Sequence, residues 1–149
     1  DSAVIFEIDK AGYAVLICFE SAFPQYVRQT ILDGAEFLVN ITNDTWFGRS
    51  PGPYQHLILA VFRAVENRVW IARCANSGIS AFIDPYGRQI VSAGLYTRDI
   101  LKTGIYPLEG HSAFTKIGPV IGQISSLIMA LILVILVSLW LYGKFTRSR

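Results

Sequence analysis

The chain has only two cysteines and two histidines in its 149 residues. Two cysteines are too few for a disulfide scaffold, and no Cys/His cluster has the spacing of metal ligands. Neither a metal nor an organic cofactor is implied. Thirteen Lys and Arg stand against eleven Asp and Glu, a net charge of +2. The basic residues are scattered among acidic ones rather than gathered in a patch, so nucleic acid gets no support as a partner. There is no internal repeat or low-complexity tract. The chain opens on Asp1 rather than Met and has no signal peptide ahead of its first apolar stretch, which reads as a piece of a longer protein.

Charge itself is missing from one long stretch. No charged residue stands between Lys116 and Lys144, and this stretch carries most of the excess behind a 52% hydrophobic content and a mean hydropathy of +0.43. Two parts follow: a globular segment over 1–115 and a membrane segment over 117–143, closed by a basic tail over 144–149. Within the membrane segment, Leu127 to Leu141 is Leu, Ile and Val broken only by Met129, small residues and one Trp. About 20 such residues at about 1.5 Å each cross a hydrocarbon layer about 30 Å thick. Trp140 and Tyr142 sit where an interfacial aromatic belt would place them. Lys144, Arg147 and Arg149 lie beyond that end, against Lys116 alone near the other. The positive-inside rule then puts the C-terminus in the cytoplasm and the globular segment on the outer side.

In the globular segment, Tyr13-Ala-Val-Leu-Ile-Cys18 is a continuous apolar run suited to a strand buried on both faces. Ala22 to Leu32 follows with helical spacing at Phe23, Tyr26, Val27 and Ile31, and Pro24 fits its first turn. Asp33-Gly34 ends it, and Glu36 to Thr42 is a second buried strand. Strand, helix and strand in that order predict a parallel crossover unit. The stretch from Asn43 to Pro53 is rich in Gly, Pro and Asn, so it is a loop at the carboxyl end of a strand. A helix over 54–67 and strands over 69–73, 79–83 and 89–91 complete an α/β segment, the last two strands joined by Asp84-Pro-Tyr-Gly87.

Cys18 ends a buried strand just before a helix. At such an elbow, helix-terminal N–H groups favour a thiolate and can hold a developing oxyanion. Spacing alone leaves a small buried core cysteine as the competing reading.

Ile17-Cys-Phe-Glu-Ser21 resembles the nucleophile elbow of the nitrilase (carbon-nitrogen hydrolase) superfamily. Asn40-Ile-Thr-Asn-Asp-Thr-Trp-Phe-Gly48 and Pro53-Tyr-Gln-His56 look like the corresponding loop of its apolipoprotein N-acyltransferase family. Arg63-Ala-Val-Glu-Asn67 is similar to the superfamily's Arg-Ala-x-Glu-Asn helix. Arg73-Cys-Ala-Asn-Ser-Gly-Ile-Ser80 and Asp84-Pro-Tyr-Gly-Arg88 match its next strand and hairpin. The likeness runs in order from Tyr13 to Val91. Leu108-Glu-Gly-His-Ser112 departs from the family's Arg-x-Gly-Asp-like stretch.

The resemblance implies the C-terminal part of an αββα sandwich, followed by one transmembrane helix, in a multi-pass protein of the bacterial inner membrane. It implies a Glu, Lys and Cys triad in which only the nucleophile, Cys18, has a match here; Glu7 and Lys10 lie too close to it and read as surface residues of a preceding hairpin. The isolated segment is expected to be inactive for that reason. The implied reaction carries an acyl chain from a membrane phospholipid, through a Cys18 thioester, to the N-terminal amine of a diacylglyceryl-cysteine apolipoprotein. Phe19, Asn43 and Trp46 fall at the oxyanion and substrate pocket. Trp46 could instead cap the core as a loop aromatic, and Glu20 either serves the reaction directly or braces the elbow by accepting backbone N–H bonds. His56 reads as structural, Arg63 and Glu66 as a polar clamp, and Cys74 as a replacement for a small residue. A Cys18–Cys74 disulfide is the minor alternative. A membrane-bound amidase, another acyltransferase of the superfamily and a non-catalytic anchored segment are the rival readings.

Overall fold

The computed structural model describes residues 3–107 and 110–146, with Ile121 and residues 141–146 given by backbone alone. It separates into two compact units, Asp1–Gly118 and Pro119–Arg149.

The first unit is a six-stranded mixed sheet whose strands lie side by side in chain order. They are β1 (Ile5–Ile8), β2 (Ala11–Ile17), β3 (Phe37–Asn43), β4 (Trp70–Asn76), β5 (Ser80–Ile83) and β6 (Gln89–Ala93). β1 pairs antiparallel with β2, and Asp9 and Lys10 between them both take positive φ, at 49° and 69°. That is the backbone of a type I′ hairpin turn. Glu7 sits exposed on β1 and Lys10 at the turn, as read. β2, β3 and β4 run parallel, in register Leu16–Asn40–Arg73 and Ile17–Ile41–Cys74. β5 and β6 close the sheet as antiparallel strands.

The parallel crossovers carry α1 (Pro24–Leu32) and α2 (Gly52–Asn67). Both helices pack on one face of the sheet. There Ala14, Leu16, Leu38, Ile71, Ala81 and Ile83 meet Val27, Ile31, Leu57, Ala60 and Ala64. Burying each of the larger aliphatic side chains contributes about 1.5–3 kcal/mol. The opposite face is open: Ile17 and Ile41 are 55% and 48% exposed, Cys74 is exposed, and Phe6, Tyr13 and Phe37 stack in a ladder at 5.4 and 5.2 Å. Parallel strands are normally covered on both faces; here α1 and α2 cover one.

Two local readings are corrected. The helix does not start at Ala22, because Cys18–Ala22 forms a 3-10 turn and Phe23, at φ −96° and ψ 98°, is extended. Proline disfavours the helical region for the residue before it, so Pro24 forces that break. A short helix not foreseen in the sequence, α3 (Ala113–Ile117), takes in Ile117, which had been placed in the membrane segment. Ser112 caps it by accepting from Thr115 N–H at 2.9 Å, Arg28 donates to the carbonyls of Phe114 and Lys116, and Thr115 donates to Asn67.

The second unit is α4 (Val120–Thr146). Its stretch Gly122–Trp140, 19 residues with a mean hydropathy of 2.4, is long and apolar enough to cross a membrane. Leu108, Glu109, Arg147 and Arg149 lie outside the described residues, as do the side chains of Tyr142 and Lys144.

Candidate active site

A buried strand should be apolar, yet β3 carries Asn40 and Thr42 on its helix-facing side, and both are buried. Beside them Arg73 of β4, 3% exposed, stands in register with Asn40, and Asp44 follows β3 at 1% exposure. Buried polar groups must be paired, and these pair with one another. The Arg73 guanidinium donates to Asn40 Oδ1, to Asp44 Oδ2 at 2.8 Å and, through Nε, to the Ile79 carbonyl at 3.2 Å. Burial pushes the Arg73 guanidinium below its ordinary range, while the Asp44 carboxylate beside it opposes that shift. Gly78 leaves the room Asp44 needs, since a Cβ there would come within 2.2 Å of Asp44 Oδ2.

Cys18 stands at the carboxyl end of β2, where α/β sheets place their sites. Its φ of 50° is left-handed, a conformation that costs a non-glycine residue about 1–3 kcal/mol and persists only where its surroundings enforce it. Its carbonyl oxygen is within hydrogen-bonding distance of Ser21 Oγ at 3.3 Å, Asn40 Nδ2 at 3.4 Å and His56 Nε2 at 3.3 Å. The thiol, half-buried, lies 3.4 Å from Thr42 Oγ1, which is itself 3.0 Å from Asp44 Oδ1. The N–H groups expected beside it are those of the five-residue 3-10 turn rather than of α1.

Glu20 accepts the Ile17 N–H at 2.7 Å, which braces the elbow from the other side. Burial, and after it the Glu20 carboxylate, raises Tyr26 above the ordinary phenol range. Phe19 is 44% exposed, with its ring centroid 5.3 Å from that of His56. Trp46, 69% exposed, stacks on Phe47 at 4.2 Å. Asn43 Oδ1 accepts from the backbone and hydroxyl of Thr45 and from Asn76, and so shapes the loop after β3. His56 is buried, 2.8 Å from Asp44 Oδ1. Arg63 and Glu66 pair at 2.9 Å on α2; burial lowers the arginine and raises the acid, each partner opposing. Both cysteines are free. Cys74 lies within β4, two strands from β2, with its residue pairing Ile41. Among the described residues no group of three His, Cys, Asp or Glu could hold a metal ion.

The carbon-nitrogen hydrolase family profile matches residues 2–107. The chain belongs to the carbon-nitrogen hydrolase family. It is 44% identical over 111 residues to apolipoprotein N-acyltransferase of Geobacter metallireducens, a match that covers 74% of this chain and 21% of that protein. It is 40% identical over 136 residues to apolipoprotein N-acyltransferase of Rickettsia bellii, covering 90% of this chain and 26% of that one. The chain therefore spans about a fifth to a quarter of the length of these curated relatives, and the second match necessarily runs into α4. Among solved structures, this carbon-nitrogen hydrolase chain resembles an amidase from Nesterenkonia sp., with a TM-score of 0.55 and 22% identity over 64% of this chain and 38% of the amidase. Another form of that amidase carries acrylamide at its active site cysteine, with a TM-score of 0.53, 22% identity and coverage of 64% and 39%. At that identity the likeness speaks to the fold.

Thr42, Asp44 and Arg73 were not singled out as functional from the sequence. Their signal was two polar residues alternating through an apolar strand, with an arginine in the next one.

Proposed function

We propose that this chain is the catalytic C-terminal part of an apolipoprotein N-acyltransferase and that Cys18 is its nucleophile. The observation that carries the reading is the left-handed Cys18 at the end of β2, its carbonyl surrounded by three polar side chains and its thiol half-buried. The curated relatives' name supplies the acceptor class. In the first half-reaction the Cys18 thiolate attacks a phospholipid ester carbonyl; a C–S bond forms, the ester C–O bond breaks, and the lysophospholipid leaves with a proton. In the second, the amine of the diacylglyceryl-cysteine attacks the thioester. An amide forms, the C–S bond breaks, and the amine proton returns to the thiol side.

Phe19 offers its backbone N–H to the oxyanion. Trp46 and Asn43 border the acyl pocket, and Glu20 both braces the elbow and serves the reaction. The base Glu and the Lys that complete the family's triad come from upstream of this segment. The apolar stretch of α4 anchors the enzyme in the bilayer, where both acyl-bearing substrates reside, so neither chain has to be drawn into water. The basic tail faces the cytoplasm and the catalytic unit faces the other side; a reporter fused after Arg149 is expected to be active only in the cytoplasm, and periplasmic activity would reverse this topology. Residues 1–149 alone, with one sheet face open, are expected to be inactive.

The test is N-acylation of a diacylglyceryl peptide by the full-length protein in phospholipid vesicles. Wild type and Cys74→Ala are expected to transfer, and Cys18→Ala to show none. Transfer by Cys18→Ala, or by purified residues 1–149, contradicts the proposal.

A further inference from the structure

His56 is buried against two groups that can only accept: the Asp44 carboxylate at Nδ1, 2.8 Å, and the Cys18 carbonyl at Nε2, 3.3 Å. Each ring nitrogen lies within hydrogen-bonding distance of one of them, and the tautomer sets which nitrogen donates. Asp44 is itself fixed by Arg73 at 2.8 Å and Thr42 at 3.0 Å, with its side chain wholly out of solvent. The chain of contacts runs from β4 through Asp44 and His56 to the peptide following the strained cysteine. The rings of Phe19 and Phe47 lie beside the imidazole, centroids 5.3 and 5.9 Å away. Such a bridge does more than fill space. The residue at its far end, Cys18, must keep its left-handed backbone while its side chain is acylated and released.

We propose that His56, oriented by Asp44, is a positioning residue for the acyl transfer: its Nε2–H holds the Cys18 carbonyl, and with it the direction of the thiol and of the following N–H. This deepens the function proposed above and rests on Cys18 being the nucleophile. His56 does not touch the substrate. Its loss lowers the rate of thioester formation and leaves substrate affinity alone, because misdirecting a reacting atom by about 1 Å costs about 100-fold in rate.

Two near-isosteres separate this role from mere packing. In His56→Gln the amide nitrogen reaches the position of Nε2 and can still donate to the Cys18 carbonyl. In His56→Asn the shorter amide reaches only the Asp44 side. With full-length protein, labelled phospholipid and no acceptor, single-turnover thioester formation is expected to fall about 100-fold in His56→Asn and to be restored at least about tenfold by His56→Gln, with KM moving less than about twofold. Equal rates in the two variants, or a loss carried by KM, overturn the proposal. If a His56 variant does not accumulate folded, Asp44→Asn gives the second reading: a fall in kcat with KM unmoved is expected, and an unchanged kcat refutes the bridge. Wild type without a hydroxylamine-labile label would refute the nucleophile assignment instead. The hold of His56 on Cys18 is read independently by the rate of Cys18 alkylation with iodoacetamide in a Cys74→Ala background, where equal rates in His56→Gln and His56→Asn overturn it.

Discussion

Arg73→Met removes the centre of the polar cluster under the elbow while keeping a side chain of similar length. Arg73 is 3% exposed and donates to three acceptors, Asn40 Oδ1, Asp44 Oδ2 and the Ile79 carbonyl. Its removal leaves the Asp44 carboxylate, 0% exposed at the side chain, without its cation. Breaking a buried ion pair from one side costs about 3–5 kcal/mol, most of it the penalty of a charge left uncompensated. Asp44→Asn in the same chain removes that charge, so the double variant should be more stable than the sum of the single losses predicts, by about 0.5–3 kcal/mol of coupling. The assay is thermal unfolding of the full-length protein in detergent for wild type, both single variants and the double. Arg73→Met melting like wild type would refute the reasoning, and so would two single losses that simply add.

Gly78→Ala is expected to displace Asp44 and cut thioester formation by up to about 100-fold, because its Cβ would stand 2.2 Å from Asp44 Oδ2; Gly94→Ala, whose Cβ meets only Thr97 Cγ2 at 3.7 Å, is expected to be silent in the same assay. Glu20→Gln keeps an acceptor for the Ile17 N–H and is expected to melt near wild type while losing acyl transfer; full transfer would assign Glu20 to the elbow alone. Burial alone would raise Asp84, but bonds from the Arg88 and Tyr86 N–H groups and the Arg88 side chain outweigh it and hold the carboxyl below its ordinary value. A depressed folded value gives stability that is present above the ordinary carboxylate range and is lost as pH falls through the folded value. Melting of wild type should therefore drop more steeply below about pH 4 than that of Asp84→Asn, and parallel curves would contradict the assignment.

The three parallel strands and their two helices were legible because continuous apolar runs alternated with helical spacing between turn residues. The elbow was only half legible: the apolar run up to Ile17 gave the strand, but without the effect of Pro24 on Phe23 the helix reads as starting at Ala22, where the 3-10 turn ends and an extended residue follows. Helix α3 has five residues, too few to show a period, and it is held by Arg28 and Asn67 from about 50 to 90 positions away in the chain. The polar cluster was present as Asn40 and Thr42 inside an apolar run. Its meaning required the pairing register that sets Asn40 opposite Arg73, which needs the two strands laid side by side and not the pattern of either one alone. His56 read as structural, and the structure adds what it lies against: the Cys18 carbonyl.

The central claim is that Cys18 carries the acyl group, and trapping that intermediate tests it most directly. Full-length protein in vesicles with acyl-labelled phospholipid and no acceptor should retain a label that neutral hydroxylamine removes, since thioesters yield to it and ordinary esters resist. Peptide mass mapping should place the acyl group on Cys18; Cys74→Ala should label as wild type, and Cys18→Ala should hold none. A hydroxylamine-labile acyl group that persists in Cys18→Ala, or maps to another residue in wild type, would contradict the account.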